Sequence, residues 1–199
     1  MSRRVLQLAL AFGLGVALTL VAVQYLYAYF EERRIDLAQV QLRYSGHNRD
    51  MQKFLREPWF PGSNLEQPDR WQLRRLDGSR FTLADLKGKA VFLNFWSTTC
   101  APCLAEMPEI EKLAQSMSAE PVVFLAVSPE EPAKVRKFVD QNKINVPLAT
   151  ITGLPENVGI GYPTTYFIDP HGTMTLRLMG AYRWDSDSTR AYLTSLLRH

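Results

Sequence analysis

The chain has 199 residues, 46% of them hydrophobic, and a formal net charge of +3. This length and composition suffice for one well-filled domain with an additional segment. The charge is small and the lysines and arginines are dispersed, which excludes an extended basic surface, so no nucleic-acid partner is expected.

The additional segment lies at the start of the chain. An uncharged stretch rich in Leu, Ala and Val runs over 5–30, after two arginines, and ends in aromatic residues. As a helix it would be about 39 Å long, more than the roughly 30 Å hydrocarbon core of a bilayer. A cleaved signal peptide has a shorter apolar core and a small-residue cleavage site. The sequence therefore predicts a cytoplasmic tail over 1–4 and a transmembrane anchor over 5–30.

A connector and a compact domain follow the anchor. Prolines and glycines interrupt 31–69, which predicts an irregular connector, and the domain is predicted over 70–199. The domain opens with two short strand patterns on either side of Asp77-Gly78, the signature of a hairpin with a tight turn.

The rest of the domain alternates strand and helix patterns. Continuous apolar runs over 90–96 and 122–127 suit strands covered on both faces. The helical pattern over 101–117 between them predicts parallel neighbours with a right-handed crossover. The remaining elements are a helix, three short strands and a last amphipathic helix, over 132–142, 146–151, 164–168, 173–178 and 189–198. The predicted fold class is α/β, a central mixed sheet flanked by helices.

The only two cysteines, Cys100 and Cys103, lie where an apolar strand passes into a helix. The i, i+3 spacing on a first helical turn puts both sulfurs on one side, close enough for a disulfide. The N–H groups and dipole at a helix N-terminus stabilise a thiolate. The pattern therefore predicts a redox centre.

Two other interpretations of the cysteine pair are weaker. A zinc site needs two further nitrogen or sulfur ligands, and the three histidines are scattered along the sequence. A purely structural disulfide would close a loop too short to restrain the unfolded chain much. We therefore expect no metal and no cofactor other than the redox-active disulfide itself.

Two motifs, FWSTTCAPC over 95–103 and GYPTTYFID over 161–169, can be taken together. In this order they resemble the thioredoxin superfamily, and specifically the membrane-anchored TlpA/ResA-like thiol-disulfide oxidoreductases. The resemblance covers residue 71 to the C-terminus and implies a thioredoxin-like fold. It implies that Cys100 is the exposed nucleophile and Cys103 the resolving thiol, acting through a mixed disulfide with a protein substrate.

The same resemblance assigns roles to Pro163, Tyr162 and Glu106, and Trp96 is a further candidate. Pro163 matches the cis-proline of the family, which leaves the Tyr162 backbone free to pair with an extended substrate segment; an ordinary trans proline is the alternative. Glu106 stands where a family glutamate assists proton transfer at the buried thiol; a surface acid is the alternative. Trp96 lines the site, fills the core, or does some of both.

Two positions depart from the expected patterns. Thr99 stands immediately before the first cysteine, where family members usually carry tryptophan, and its presence removes a large apolar shield. Asn94 stands where ordinary thioredoxins carry a buried aspartate, so Glu106 is the candidate acid–base group near the thiols.

The resemblance implies a disulfide reductase that acts on extracytoplasmic proteins, including those of cytochrome c maturation. Its electrons would come from a membrane thiol donor of the DsbD/CcdA type. Arginines on both sides of the predicted anchor leave its orientation undecided by charge. Because a thiol pair is most useful where disulfides form, we expect a single-pass protein of the cytoplasmic membrane with its C-terminal domain on the periplasmic side.

Two other functions remain as alternatives. A peroxiredoxin-like thiol peroxidase would need proline at the position of Leu93, although Ser97 fits its pattern. A Sco-like copper-binding assembly factor would need a histidine ligand. The conceivable one, His171, lies in a predicted turn, and the cysteine spacing differs from the Sco pattern.

Overall fold

The computed structural model describes residues 19–25, 63–64, 71–153 and 161–198. Residues 19–25 are helical, whereas the tail, the rest of the predicted anchor and most of the connector lie outside the described residues. Among the helices described, none combines the length and apolar character needed to cross a membrane. The chain divides into two units, Met1–Asp36 and Leu37–His199.

Among the residues described in the second unit, eight strands form a mixed sheet in the order β1-β8-β7-β4-β5-β6-β2-β3. The strands are β1 Ser63–Asn64, β2 Gln72–Arg75, β3 Arg80–Phe81, β4 Ala90–Phe95, β5 Val122–Ser128, β6 Leu148–Thr152, β7 Thr164–Ile168 and β8 Thr173–Met179. The helices are α1 Ala101–Ser116, α2 Pro132–Asn142 and α3 Asp187–Leu196, with a 3₁₀ turn at Leu83–Leu86.

The centre of the sheet follows the sequence prediction. β4 and β5 are parallel neighbours, with Phe92 opposite Phe124, and β7 runs antiparallel to β4 on its other side. All six residues of β4 and all five of β7 are buried, as expected for strands covered on both faces. The predicted hairpin is also present, since Leu73 of β2 pairs with Phe81 of β3.

One strand arises where the sequence predicts irregular structure. Ser63 and Asn64, in the proline- and glycine-rich part of the connector, form β1 and pair with Met174 and Thr173 of β8. Pairing over two residues depends on an available sheet edge, which the local sequence pattern does not reveal.

The strand register brings three chain segments to one end of the sheet. Phe95, the last residue of β4, lies opposite Thr164, the first residue of β7. Thr164 in turn lies opposite Met179, the last residue of β8. The residues that follow β4, precede β7 and follow β8 are therefore neighbours.

Candidate active site

The two cysteines lie at this end of the sheet, where α1 begins. Cys100 is the N-cap of α1, and its Sγ accepts a hydrogen bond from the Cys103 backbone N–H at 3.3 Å. The two residues are joined by a disulfide with an S–S distance of 2.00 Å and a Cα–Cα distance of 5.3 Å. Pro102 is accommodated because N–H groups in a first helical turn have no partner within the helix.

The two sulfur-bearing residues differ in exposure. Cys100 is half-buried, whereas Cys103 is completely buried one turn into α1. When the disulfide is open, the helix N-terminus would favour the thiolate of Cys100. An external disulfide can therefore reach Cys100 first, while Cys103 can attack only from behind it.

The segment before β7 also belongs to this region. The Tyr162–Pro163 peptide bond is cis, as the resemblance implies. The Pro163 carbonyl accepts a hydrogen bond from the Gly180 N–H at 2.8 Å, and the Thr164 hydroxyl donates to the Gly161 carbonyl at 2.6 Å. The first bond ties the segment to the residue that follows β8, and the second lies within the segment. Tyr162 is half-buried and Pro163 is buried.

Glu106 is completely buried on α1, one helical turn beyond Cys103. Its Oε1 accepts from Asn94 Nδ2 at 2.7 Å, and its Oε2 accepts from Trp184 Nε1 at 2.8 Å and from the Tyr182 N–H at 3.3 Å. Burial raises the pKa of Glu106 to about 8, against the opposing effect of these three donors. Glu106 is thus an internal acid that exchanges its proton near neutral pH.

The sequence interpretation missed the partners that hold Glu106. Asn94 also donates to the Thr165 hydroxyl at 3.0 Å, across the β4–β7 pair. A polar residue in the otherwise apolar run of β4 was a local signal for this cluster. Trp184 carries no such signal, because it lies 78 residues from Glu106 in the sequence.

A second carboxylate, Glu130, holds the loop in front of Cys100. It accepts from the Thr98 N–H at 2.7 Å and from the Thr98 hydroxyl at 2.8 Å, and Lys134 Nζ lies 2.6 Å from it. Burial raises the pKa of Glu130, but the hydrogen bonds from Lys134 and Thr98 outweigh it, so the pKa lies below its usual value. Nothing in the local sequence marks Glu130 as part of the site.

The two residues predicted to contact a substrate differ in burial: Tyr162 is half-buried, whereas Trp96 lies in the core. Trp96 is completely buried and packs against Phe138, with ring centroids 6.1 Å apart, so it offers no surface to a substrate in this disulfide form. This packing accounts for the core role that the sequence leaves open for Trp96, whereas its contact with a substrate stays a prediction. Thr99, where the family usually carries tryptophan, is exposed.

The structure also shows where Leu93 and His171 lie, the two positions on which the alternative peroxidase and copper-binding functions depend. Leu93 is buried within β4, so that position is part of a regular strand. His171 lies in the turn after β7, at the opposite end of that strand from Pro163. Among the residues that the structure describes, no group of three or more His, Cys, Asp or Glu side chains is arranged to hold a metal ion.

Comparison with known proteins agrees with this site. The AhpC/TSA family matches residues 65–177. Over 113 residues the chain is 41% identical to the thiol-disulfide oxidoreductase ResA of Halalkalibacterium halodurans. The aligned region covers 54% of this chain and 63% of that protein. It is 39% identical over 115 residues to the thioredoxin-like protein YneN of Bacillus subtilis, covering 55% of this chain and 67% of that protein.

Solved structures share the architecture. A thiol:disulfide interchange protein of the thioredoxin family from Chlorobium tepidum superposes with a TM-score of 0.52 at 25% identity, over 63% of this chain and 92% of that one. MTB dsbF gives a TM-score of 0.52 at 26% identity, over 64% and 95% of the two chains. The similarity to the ResA protein spans less than two thirds of that protein's length.

Proposed function

This chain belongs to the AhpC/TSA family and has a thioredoxin-like fold, and from that premise we propose that it is a thiol-disulfide oxidoreductase that reduces disulfides of extracytoplasmic proteins. The observation that carries the proposal is the half-exposed Cys100 at the N-terminus of α1, bonded to the buried Cys103. The cis Tyr162–Pro163 bond at the same end of the sheet supports it.

The reaction is a two-step thiol–disulfide exchange. The Cys100 thiolate of the reduced protein attacks a disulfide of the substrate, forms a mixed disulfide and releases one substrate thiolate. The Cys103 thiolate then attacks the Cys100 sulfur, which releases the second substrate thiolate and closes the Cys100–Cys103 disulfide. Two electrons pass to the substrate, and the disulfide form described here is the product state.

In this reaction Glu106 accepts the proton of the Cys103 thiol and later returns it. The buried Cys103 thiol must lose its proton before it attacks, and Glu106 lies on the same face of α1 to accept it. When a reductant opens the disulfide, protonated Glu106 returns the proton to the departing Cys103 thiolate. A pKa of about 8 leaves both forms of Glu106 populated near neutral pH.

Three finer parts of the proposal rest on the sequence. The apolar stretch over 5–30 would anchor the protein in the cytoplasmic membrane, with the catalytic domain on the periplasmic side. A membrane thiol donor of the DsbD/CcdA type would reduce the disulfide, since confinement to one membrane raises the effective concentration of both reactants. The substrates would include the haem-binding cysteines of apocytochrome c.

Substitution of the resolving cysteine tests the reaction. Cys103→Ser should trap substrates as mixed disulfides through Cys100, because the second step is blocked, whereas Cys100→Ser should trap none. The trapped proteins would be separated on non-reducing gels and identified by mass spectrometry. Failure of Cys103→Ser to form any mixed disulfide, together with failure of the native protein to reduce insulin, would refute the proposal.

The location is tested separately in intact spheroplasts. A membrane-impermeant maleimide should label the reduced native protein at Cys100, and the Cys100→Ser protein should show only weak labelling because Cys103 is buried. Labelling that requires lysis of the cells would place the domain in the cytoplasm and contradict the periplasmic assignment.

A further inference from the structure

The segment 182–184, which follows β8, is fastened to α1 by two glutamates one helical turn apart. Glu109 Oε2 accepts from the Trp184 backbone N–H at 2.9 Å. Glu106 Oε2 accepts from the Trp184 indole N–H at 2.8 Å and from the Tyr182 backbone N–H at 3.3 Å. Trp184 is therefore held by one glutamate at its backbone and by the other at its ring.

The Trp184 ring is locked in its orientation by packing as well. It is completely buried and meets the Phe92 ring edge-on, with centroids 5.0 Å apart and an interplanar angle of 87°. The Phe167 ring lies 6.0 Å away and the Tyr182 ring 5.3 Å away. With the backbone and ring both fixed, the direction of the indole N–H is fixed too.

We propose that Glu109 and Trp184 are positioning residues for Glu106: Glu109 fixes the Trp184 backbone, and the Trp184 indole fixes the orientation of the Glu106 carboxylate, one helical turn beyond Cys103. A carboxylate offers about four acceptor positions on its two oxygens. Three are taken by Asn94, Trp184 and Tyr182, which leaves one for a transferred proton. The inference rests on the proposed proton transfer by Glu106 and deepens it.

The groups around Glu106 act on its charge in opposite directions. Asn94 of β4 and the N–H groups of Tyr182 and Trp184 are neutral donors that favour the carboxylate. Thr165 of β7 is a neutral partner of Asn94, and Cys103 is held in the disulfide. Glu109 carries a negative charge that favours the protonated form. Along the chain of contacts from Glu109 through Trp184 to Glu106, the Glu109 charge therefore raises the Glu106 pKa and the Trp184 indole lowers it.

Three substitutions separate these effects. Glu109→Gln keeps a carbonyl oxygen to accept from the Trp184 N–H but removes the charge, so the Glu106 pKa should fall. Glu109→Ala removes the same charge and also this acceptor, which releases the Trp184 backbone and with it the indole donor, so the Glu106 pKa should lie above its value in Glu109→Gln. Trp184→Phe keeps an aromatic ring against Phe92 but removes the indole donor, so the Glu106 pKa should rise. The measurement is an NMR titration of the ¹³C-labelled Glu106 carboxyl carbon in the oxidised protein, assigned by its loss in Glu106→Gln.

Glu111→Gln is the matched control. It removes the same charge from the same helix, but Glu111 binds Gln115 on the surface of α1. This variant should leave the Glu106 titration unchanged. The inference is overturned if Glu106 titrates alike in Glu109→Gln and Glu109→Ala, if Glu109→Gln moves the titration no further than Glu111→Gln, or if Glu109→Gln and Trp184→Phe move it in the same direction. If Trp184→Phe does not fold, the comparison of Glu109→Gln with Glu109→Ala and Glu111→Gln decides alone.

A kinetic measurement distinguishes failure of this inference from failure of the proposed proton transfer by Glu106. The pH profile of insulin reduction should move to lower pH in Glu109→Gln and to higher pH in Trp184→Phe, in parallel with the carboxyl titration. Carboxyl shifts of the expected signs with an unchanged kinetic profile would support the positioning pair and refute proton transfer by Glu106. Unchanged carboxyl titrations would refute the positioning pair, whatever the kinetics show.

Discussion

At the scale of single residues, Glu130 has the clearest structural task outside the cysteine motif. It binds both the backbone N–H and the hydroxyl of Thr98, a residue only 4% exposed. Thr98 lies two positions before Cys100, so Glu130 sets the position of the loop that leads into the nucleophile. The side chain also accepts from the Ser128 hydroxyl at 3.2 Å, which ties the loop to the end of β5.

Removal of this carboxylate should loosen the loop. We expect Glu130→Ala to lower the free energy of unfolding by about 1–3 kcal/mol, because the nearly buried Thr98 N–H loses its acceptor. Reduction of insulin should slow as the position of Cys100 becomes less defined. Urea unfolding and initial rates measure the two effects.

The neighbouring Glu131 provides the control for Glu130. Its side chain is exposed and makes no cap hydrogen bond to α2, so Glu131→Ala should change stability by less than about 0.5 kcal/mol. Equal effects of the two substitutions would show that Glu130 does not hold the loop.

Residue-scale prediction from the sequence succeeded where the motif is local and failed where partners are distant. The i, i+3 spacing of the cysteines on a first helical turn was sufficient to predict that their sulfurs lie close enough for a disulfide, which joins Cys100 and Cys103. The environment of Glu106 depends on Trp184, which only the folding of the C-terminal segment brings to α1. No local periodicity encodes a contact over such a separation.

At the scale of elements, hydrophobic patterns located the strands and helices well, and errors concentrated at their ends. The last helix was predicted over 189–198 but spans Asp187–Leu196, because Ser186 caps it by accepting from the Thr189 N–H. β1 was not predicted, since its existence depends on the edge of β8.

The end of β8 provides a test at this scale. Gly180 has a φ of +101° and donates its N–H to the Pro163 carbonyl, and a Cβ there would meet nothing within 4 Å. Gly180→Ala should therefore cost about 1–2 kcal/mol through the backbone conformation alone. Because that strain falls on the bond that holds Pro163, reduction of a protein disulfide should slow as well.

Gly88 gives the matched comparison for Gly180. It has a φ of +84°, equally open surroundings, and an N–H bonded to the Pro170 carbonyl at the other end of β7. Gly88→Ala should lose similar stability in thermal unfolding but keep the rate of insulin reduction. Loss of activity in both variants would indicate a general effect of destabilisation and would not implicate the Pro163 segment.

At the scale of the whole molecule, Glu106 makes stability depend on pH. Its pKa is about 8 in the folded protein, against a usual value of 4.5. Between these two values the folded protein binds more protons than the unfolded chain, so this group makes stability fall as pH rises from 4.5 to 8. The effect is on the order of a few kcal/mol, since each pKa unit corresponds to about 1.4 kcal/mol.

Replacement of the acid should remove most of this dependence. In Glu106→Gln, the free energy of unfolding measured by urea at pH 5 and at pH 9 should differ much less than in the native protein. The variant should also be more stable than the native protein at pH 9, where the native protein holds a buried charge. Identical pH dependence in the two proteins would mean that Glu106 ionises as it does in water.

The short strands at the two edges of the sheet affect how copies of the protein associate at high concentration. Among the residues that the structure describes, β1 and β3, at the two edges of the sheet, pair over two residues each. Such short edge strands offer few unpaired backbone N–H and C=O groups to a strand of another copy. This disfavours edge-to-edge assembly into fibrils. The proposed reduction of protein disulfides near the Pro163 segment can therefore proceed without recruitment of further copies of this chain.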